Sequence, residues 1–218
     1  MARNIEKEYQ KLTPEQAVLH RPASYIGSTN GTVTETWIPK NNKMKYKPVK
    51  YNPGLLKCFD ELITNAFDAS KRDKTVKNIK ITILADNMSV WNDGELGIPI
   101  QIHKEHNVYL PELIFSHVHS SSNYDDTQTR TWAGTNGVGA KAAIIFSKES
   151  NITINHENQC YTQKFEDNLT KRGKPKIVKH KSNNSVGVTV FPDFSRFALK
   201  DFTSDQTIEM IYKRTLEV

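Results

Sequence analysis

Three groups of residues, far apart along the chain, have the types and spacings that chemistry on a phosphate needs. In "LLKCFDELITNAFDAS", Glu61, Asn65 and Asp68 recur at i, i+4 and i+7. On a helix they fall within about 60° of one another. Magnesium is a hard cation that takes oxygen ligands, often few from protein and the rest from phosphates and water. Asn65 offers such an oxygen without adding charge beside a triphosphate, which leaves Glu61 to orient and deprotonate an attacking water. The same residues also read as the polar stripe of any surface helix.

The second group is "VWNDGELGIPI", residues 90–100. An Asn or Asp side chain at a strand end can pair with the exocyclic amine of adenine, and glycines let the backbone close on the base. A plain strand-ending turn is the alternative, since Asn, Asp and Gly are turn formers. The third is "AGTNGVGAKAAIIFS", residues 133–147. Gly134, Gly137 and Gly139 allow successive N–H groups to point at phosphate oxygens, and Lys141 adds a point charge. Ser121, Ser122 and Asn123 just upstream can bond ribose or phosphate. A P-loop needs a strand directly before the glycines and Lys-Ser/Thr after them; a polar loop and Lys-Ala stand there, so that reading fails. A glycine turn before a helix remains open.

The elements that must position these groups follow from periodicity and punctuation. Leu55, Leu56, Phe59, Leu62, Ile63, Ala66 and Phe67 share one face of a helix expected from about Pro53 to Arg72. "LTPEQAVLHRP" opens with Thr13, Pro14 and Gln16 in capping-box order. "GTVTETWI" and "KYKPVKY" flank the polar turn "PKNNKM", and "IKITIL" and "SVWN" flank Ala85-Asp86-Asn87, so each pair reads as a hairpin. A short helix is expected from Pro111, a loop from Ser120 to Gly134, and a helix after Gly137. The segments "ITIN", "CYTQKF", "KIVKH" and "VGVTVF" alternate like strands. A last helix carries Thr203 and Gln206 in capping-box register.

The 218 residues suit one α/β domain, 1–218, with no linker-like break. The two cysteines, Cys58 and Cys160, form no disulfide framework and read as reduced thiols of an intracellular protein. No apolar run approaches the roughly 18 residues that span a bilayer, so no membrane partner is expected. The formal net charge is +6. Its lysines clump at 40–50, 71–80 and most densely in "TKRGKPKIVKHK", 170–181. Such clumping is either a solvated surface or an attraction to a polyanion such as DNA. His117 and His119 lack a carboxylate at ligand spacing.

Taken in order, acid and amide on a helix, then a strand-end Asn-Asp-Gly, then a glycine loop entering a helix, the chain resembles the GHKL ATPases. That family includes the type II topoisomerases, Hsp90, MutL and sensor histidine kinases. "DELITNAFDAS", "SSSNYDD", "GTNGVGAK", "EYQKLTPEQAVLHRPASYIGS" and "FPDFSRF" make it similar to the N-terminal ATPase domain of type IIA topoisomerases of the eukaryotic and large-virus or phage kind. The resemblance implies a two-layer α/β sandwich, a mixed sheet covered by helices, with an N-terminal arm at 1–13 and an ATP-lid loop at 119–135. It implies ATP and Mg2+ as cofactors, Glu61 as general base, Asn65 as metal ligand, Asn92 as the adenine reader and Asp68 beside the pocket. Ser121, Ser122, Asn123, Asn136, Gly137, Val138, Gly139, Ala140 and Lys141 match the ribose and phosphate contacts. Tyr9 matches an arm residue reaching the partner subunit's nucleotide, so ATP-driven homodimerisation and DNA as the substrate are implied too. A MutL-like or Hsp90-like ATPase, or a non-enzymatic basic nucleic-acid-binding module, are the rival readings.

Three features depart from the family's pattern. Gly94-Glu95-Leu96-Gly97 spaces its glycine pair by two residues instead of one. Thr135 stands where eukaryotic members carry arginine. Family members also continue into a transducer, whose lysine reaches the terminal phosphate, and into Toprim and cleavage domains. No stretch of this sequence matches those parts, so these 218 residues alone are expected to hydrolyse ATP poorly.

Overall fold

The computed structural model describes residues 11–118 and 139–218. Helix α1 (Pro14–His20) begins with the expected capping box: Gln16 N donates to Thr13 Oγ1 at 3.2 Å and Thr13 N to Gln16 Oε1 at 2.9 Å. A 3-10 turn at Pro22–Ser24 leads to a two-stranded ribbon of β1 (Thr32–Lys40) and β2 (Lys43–Tyr51). Asn41 and Asn42 turn the ribbon at φ 51° and 59°, the pair of positive angles that suits a two-residue hairpin.

Helix α2 (Pro53–Arg72) is the central pillar. Asn52 caps it by accepting from Leu55 N at 3.1 Å. The same side chain donates to the carbonyls of Thr29 at 2.6 Å and Phe197 at 3.1 Å, pinning both flanking segments to the helix start. Leu55, Phe59, Leu62, Ile63 and Ala66 are buried as their spacing predicts, joined by Cys58, while Leu56 and Phe67 are only partly covered. Burial pushes the Cys58 thiol well above its ordinary range, which suits an inert core thiol.

The main sheet has seven strands: β3 (Ile79–Ile83), β4 (Met88–Asp93), β7 (Ser147–His156), β8 (Gln159–Glu166), β9 (Lys171–Arg172), β10 (Lys176–Lys179) and β11 (Ser185–Pro192). Their order is β10-β8-β7-β11-β4-β3, with β9 also pairing β8. Every pairing among the described strands is antiparallel. Short strands β5 (Ile102–His103) and β6 (Val108–Tyr109) lead into α3 (Leu110–Ser116), which carries Pro111 in its first turn. Helix α4 (Gly139–Ile145) and helix α5 (Thr207–Glu217) complete the helical layer.

Alternation along the strands sorts the layers. Met88 and Val90, Ile152 and Ile154, Tyr161 and Phe165, and Val188 and Val190 face inward against α2 and α4. This is the expected α/β sandwich, its helices on one side of the sheet. No helix of the described residues is long and apolar enough to cross a membrane.

The last helix differs from expectation. It starts at Thr207, and its N-cap, Gln206, makes no side-chain cap bond. Thr203 instead closes a turn on Asp201, donating from N at 2.8 Å and from Oγ1 at 2.6 Å. The tertiary contact decides it: Thr207 Oγ1 accepts from Asn52 N at 2.8 Å, which fixes the helix start to the cap of α2.

Candidate nucleotide site

Glu61, Asn65 and Asp68 all lie on α2, but its polar stripe is not uniformly solvated. Asn65 is exposed, Glu61 is half-buried, and Asp68 is buried at 8% exposure. Asn65 Nδ2 donates to the Glu61 carbonyl at 2.8 Å. That bond ties the amide nitrogen to the helix and leaves the oxygen for another partner, the donor a hard cation requires. Glu61 Oε1 pairs with Lys57 Nζ at 2.6 Å, one turn earlier.

The decisive contact runs from α2 to the start of α4. A Cβ placed on Gly139 would overlap Glu61 Oε2 and lie 3.1 Å from Glu61 Cδ. Seventy-eight positions apart in sequence (139 − 61), the acid and the end of the glycine loop are thus in van der Waals contact. Only a residue without a side chain fits between them in this arrangement.

Lys141 follows one residue on from Ala140, in the first turn of α4, and is buried at 4% exposure. Burial drives its ammonium down to about 8, and an anion arriving beside it would favour the charged form and raise that value. Ala140 is partly covered.

Structure also separates Asn92 from Asp93, which the dipeptide alone leaves open. Asn92 shares the inward face of β4 with Met88 and Val90 and is buried at 7% exposure; its Nδ2 donates to the Asp93 carbonyl at 2.9 Å. Asp93 points the other way and is occupied. Its carboxylate accepts from Lys77 N at 2.8 Å, Asn78 N at 2.9 Å and Asn78 Nδ2 at 2.7 Å. Desolvation opposes its ionisation, but these bonds outweigh it and hold the carboxyl below its ordinary value. Asn92 is therefore the side chain of this pair that remains for a ligand inside the sandwich, and Asp93 is structural.

The lengthened loop at 94–97 has its own anchors. Leu96 N donates to Asp73 Oδ2 at 2.8 Å, Glu95 N to Thr75 Oγ1 at 2.7 Å, and Asn184 Nδ2 to the Glu95 carbonyl at 2.8 Å. Gly94, at φ 143°, packs so closely on Asp73 and Val76 that a Cβ would lie 2.7 Å from each. The turn after α2 thus absorbs the extra residue. Lys57, Asp73, Thr75 and Asn184 were not singled out by sequence. The i, i+4 spacing of Lys57 and Glu61 was the one legible signal among them.

The expected contacts at Tyr9, Ser121, Ser122, Asn123, Asn136, Gly137 and Val138, and the whole of the lid at 119–135, lie outside the described residues. Among the described residues no group of three or more His, Cys, Asp or Glu is placed to hold a metal. A magnesium site here would rest on Asn65 with phosphate and water oxygens, as the ion's chemistry allows.

No protein-family model matches the chain. It is 41% identical over 217 residues to DNA topoisomerase 2 of Penicillium chrysogenum, covering 97% of this chain and 14% of that protein. With DNA topoisomerase 2 of Acanthamoeba polyphaga mimivirus it shares 37% over 226 residues, 99% of this chain and 18% of the relative. The chain thus spans between 14% and 18% of the length of these relatives. Among solved structures, the ATPase region of Saccharomyces cerevisiae topoisomerase II superposes with a TM-score of 0.91 at 38% identity, covering 95% of this chain and 56% of that one. The ATPase and transducer domains of Balamuthia mandrillaris DNA topoisomerase II give 0.93 at 34%, covering 97% and 57%. The 43K ATPase domain of Thermus thermophilus gyrase B, at 21% identity and a TM-score of 0.63, covers 86% of this chain and 41% of its own and shares the fold.

Proposed function

Because this chain belongs with the ATPase regions of type II DNA topoisomerases and carries their GHKL fold, we propose that it binds ATP with magnesium and hydrolyses it. The contact between Glu61 and Gly139 carries this reading. It joins an acid suited to water activation to the helix start that follows the glycine loop, as a hydrolytic site requires.

In this reading Glu61 orients the attacking water and takes its proton. Asn65 holds the magnesium, whose chemistry is to neutralise charge on the phosphates. Asn92 reads the adenine from within the sandwich, with Asp68 beside the pocket. Gly139, Ala140 and Lys141 face the phosphates, with Ser121, Ser122, Asn123, Asn136, Gly137 and Val138 completing the ribose and phosphate shell. Phosphoryl transfer needs little covalent help from protein, so positioning and charge compensation make up most of the task.

For the whole protein we propose an intracellular homodimer that closes on ATP, Tyr9 of each arm reaching the other subunit's nucleotide, to gate passage of one DNA segment through another. The identity to topoisomerases over nearly the whole chain favours this over a MutL-like or Hsp90-like ATPase. Glu61→Ala tests the chemistry. It is expected to keep affinity for a non-hydrolysable ATP analogue while turnover in the full-length protein falls by at least about a hundredfold, the scale of a lost general base. Retained turnover would remove Glu61 from the role.

A further inference from the structure

Lys57, Asp60 and Glu61 share one face of α2 at i, i+3 and i+4. Lys57 Nζ stands 2.6 Å from Glu61 Oε1 and 3.3 Å from Asp60 Oδ2. Two carboxylates therefore compete for one ammonium. The competition is biased from outside the helix: Arg214, on α5, donates from Nε to Asp60 Oδ1 at 2.6 Å. Two cations and two anions form a neutral chain, Arg214–Asp60–Lys57–Glu61, running from the last helix to the acid beside Gly139. Burial works against the Lys57 ammonium, yet its bonds to Glu61 and Asp60 raise it above its ordinary value.

Partly exposed ion pairs add little to stability, and the Lys57 side chain is 43% exposed. Geometry is the larger consequence. A glutamate side chain has three rotatable bonds, and a carboxylate that must accept a proton from a water cannot wander among rotamers. With Oε1 held by Lys57, Oε2 is the oxygen turned to Gly139.

We propose that Lys57 is a positioning residue for Glu61, and that Arg214 keeps it there by occupying Asp60. The inference rests on Glu61 being the base. Without Arg214, Lys57 is the one cation left to Asp60 among the described residues, and Asp60 draws the ammonium away from Glu61. A shift of α5 relative to α2 would then register directly at the hydrolytic acid, while nucleotide binding, which uses other residues, stays as it was.

The test measures steady-state ATP turnover and the Kd of a non-hydrolysable ATP analogue in the full-length protein. Lys57→Met is expected to lower kcat at least about tenfold with Kd within about twofold, and Lys57→Arg to recover most of the loss. Arg214→Met is expected to lower kcat in the same selective way, and that loss is expected to vanish when Asp60→Asn removes the competing charge. A Lys57→Met protein turning over like wild type, or one whose Kd weakens in step with kcat, overturns the proposal. So does an Arg214→Met loss that persists undiminished in the Asp60→Asn background. Turnover surviving Glu61→Ala is a separate outcome: it removes the assignment of the base itself, and the inference with it.

Discussion

Gly139→Ala separates folding from chemistry at the contact on which the site depends. The added methyl would overlap Glu61 Oε2 and stand 3.1 Å from Glu61 Cδ. The obstacle is the end of a flexible side chain, so the backbone can stay and the carboxylate must move. Forcing it off its rotamer costs about 0.5–1.5 kcal/mol, and loosening the Lys57 pair costs about 0.2–0.5 kcal/mol more. Gly139 opens α4 and does not lie in its interior, so alanine regains only part of the roughly 1 kcal/mol by which it is favoured over glycine inside a helix. The balance is expected to be a loss of at most about 2 kcal/mol, a fall in Tm of at most roughly 4–8 °C. Turnover has no such compensation. Restoring ordinary contact distance moves the carboxylate by about 1 Å, and a misplacement of that size costs on the order of a hundredfold, about 2.7 kcal/mol of barrier. Thermal melts, analogue titration and ATP turnover on the same preparation read the three quantities. Turnover within about threefold of wild type at an unchanged Tm would refute the placement of Glu61 at the reacting phosphate.

Two further outcomes follow from the charges. Burial holds Lys141 at about 8, and a bound polyphosphate raises that value. Its contribution to analogue affinity is therefore complete below pH 8 and is lost as pH rises from 8 through the raised pKa, by at most about tenfold per pH unit. Calorimetry from pH 7 upward checks this, and Lys141→Met is expected to remove the slope. On the outer edge of the sheet, Lys174, Lys176, Lys179 and Lys181 are exposed and form no ion pair among the described residues, whereas Lys171 is held by Asp167 at 2.6 Å and Arg172 by Glu15 at 2.6 Å. If that edge faces DNA, neutralising the four free lysines is expected to flatten the slope of log K against log salt by about 3 to 4; an unchanged slope assigns them to a solvated surface.

Legibility in the sequence tracked the range of the interaction. Helix α2 was readable to its ends because Asn52, Pro53 and a long 3.6-residue repeat all act locally. The ribbon was readable because Asn41 and Asn42 tolerate the positive φ that its turn demands. The start of α5 was misread because a local capping-box pattern at Thr203 lost to a bond between Thr207 and Asn52, 155 residues away. The same limit applies at the site. Glu61 and Asn65 declared themselves by one helical turn, but which of Asn92 and Asp93 faces inward is set by strand register. Asp93 is claimed by Lys77 and Asn78, across a turn that no motif describes. Burial of Asp68 is a matter of tertiary packing that the helix's own repeat does not encode, and the link from Glu61 to Arg214 crosses 153 positions (214 − 61). Side chains meeting at that distance leave no pattern in a single sequence.

Convergence of helix α2 and the start of α4 on one magnesium nucleotide is tested most directly by titrating the chain with a non-hydrolysable ATP analogue, with and without Mg2+, in wild type and Asn65→Ala. One nucleotide is expected per chain, bound more tightly with magnesium in the wild type, with a magnesium effect that disappears in Asn65→Ala. Binding that ignores magnesium in the wild type, or a magnesium effect that survives intact in Asn65→Ala, would contradict that convergence.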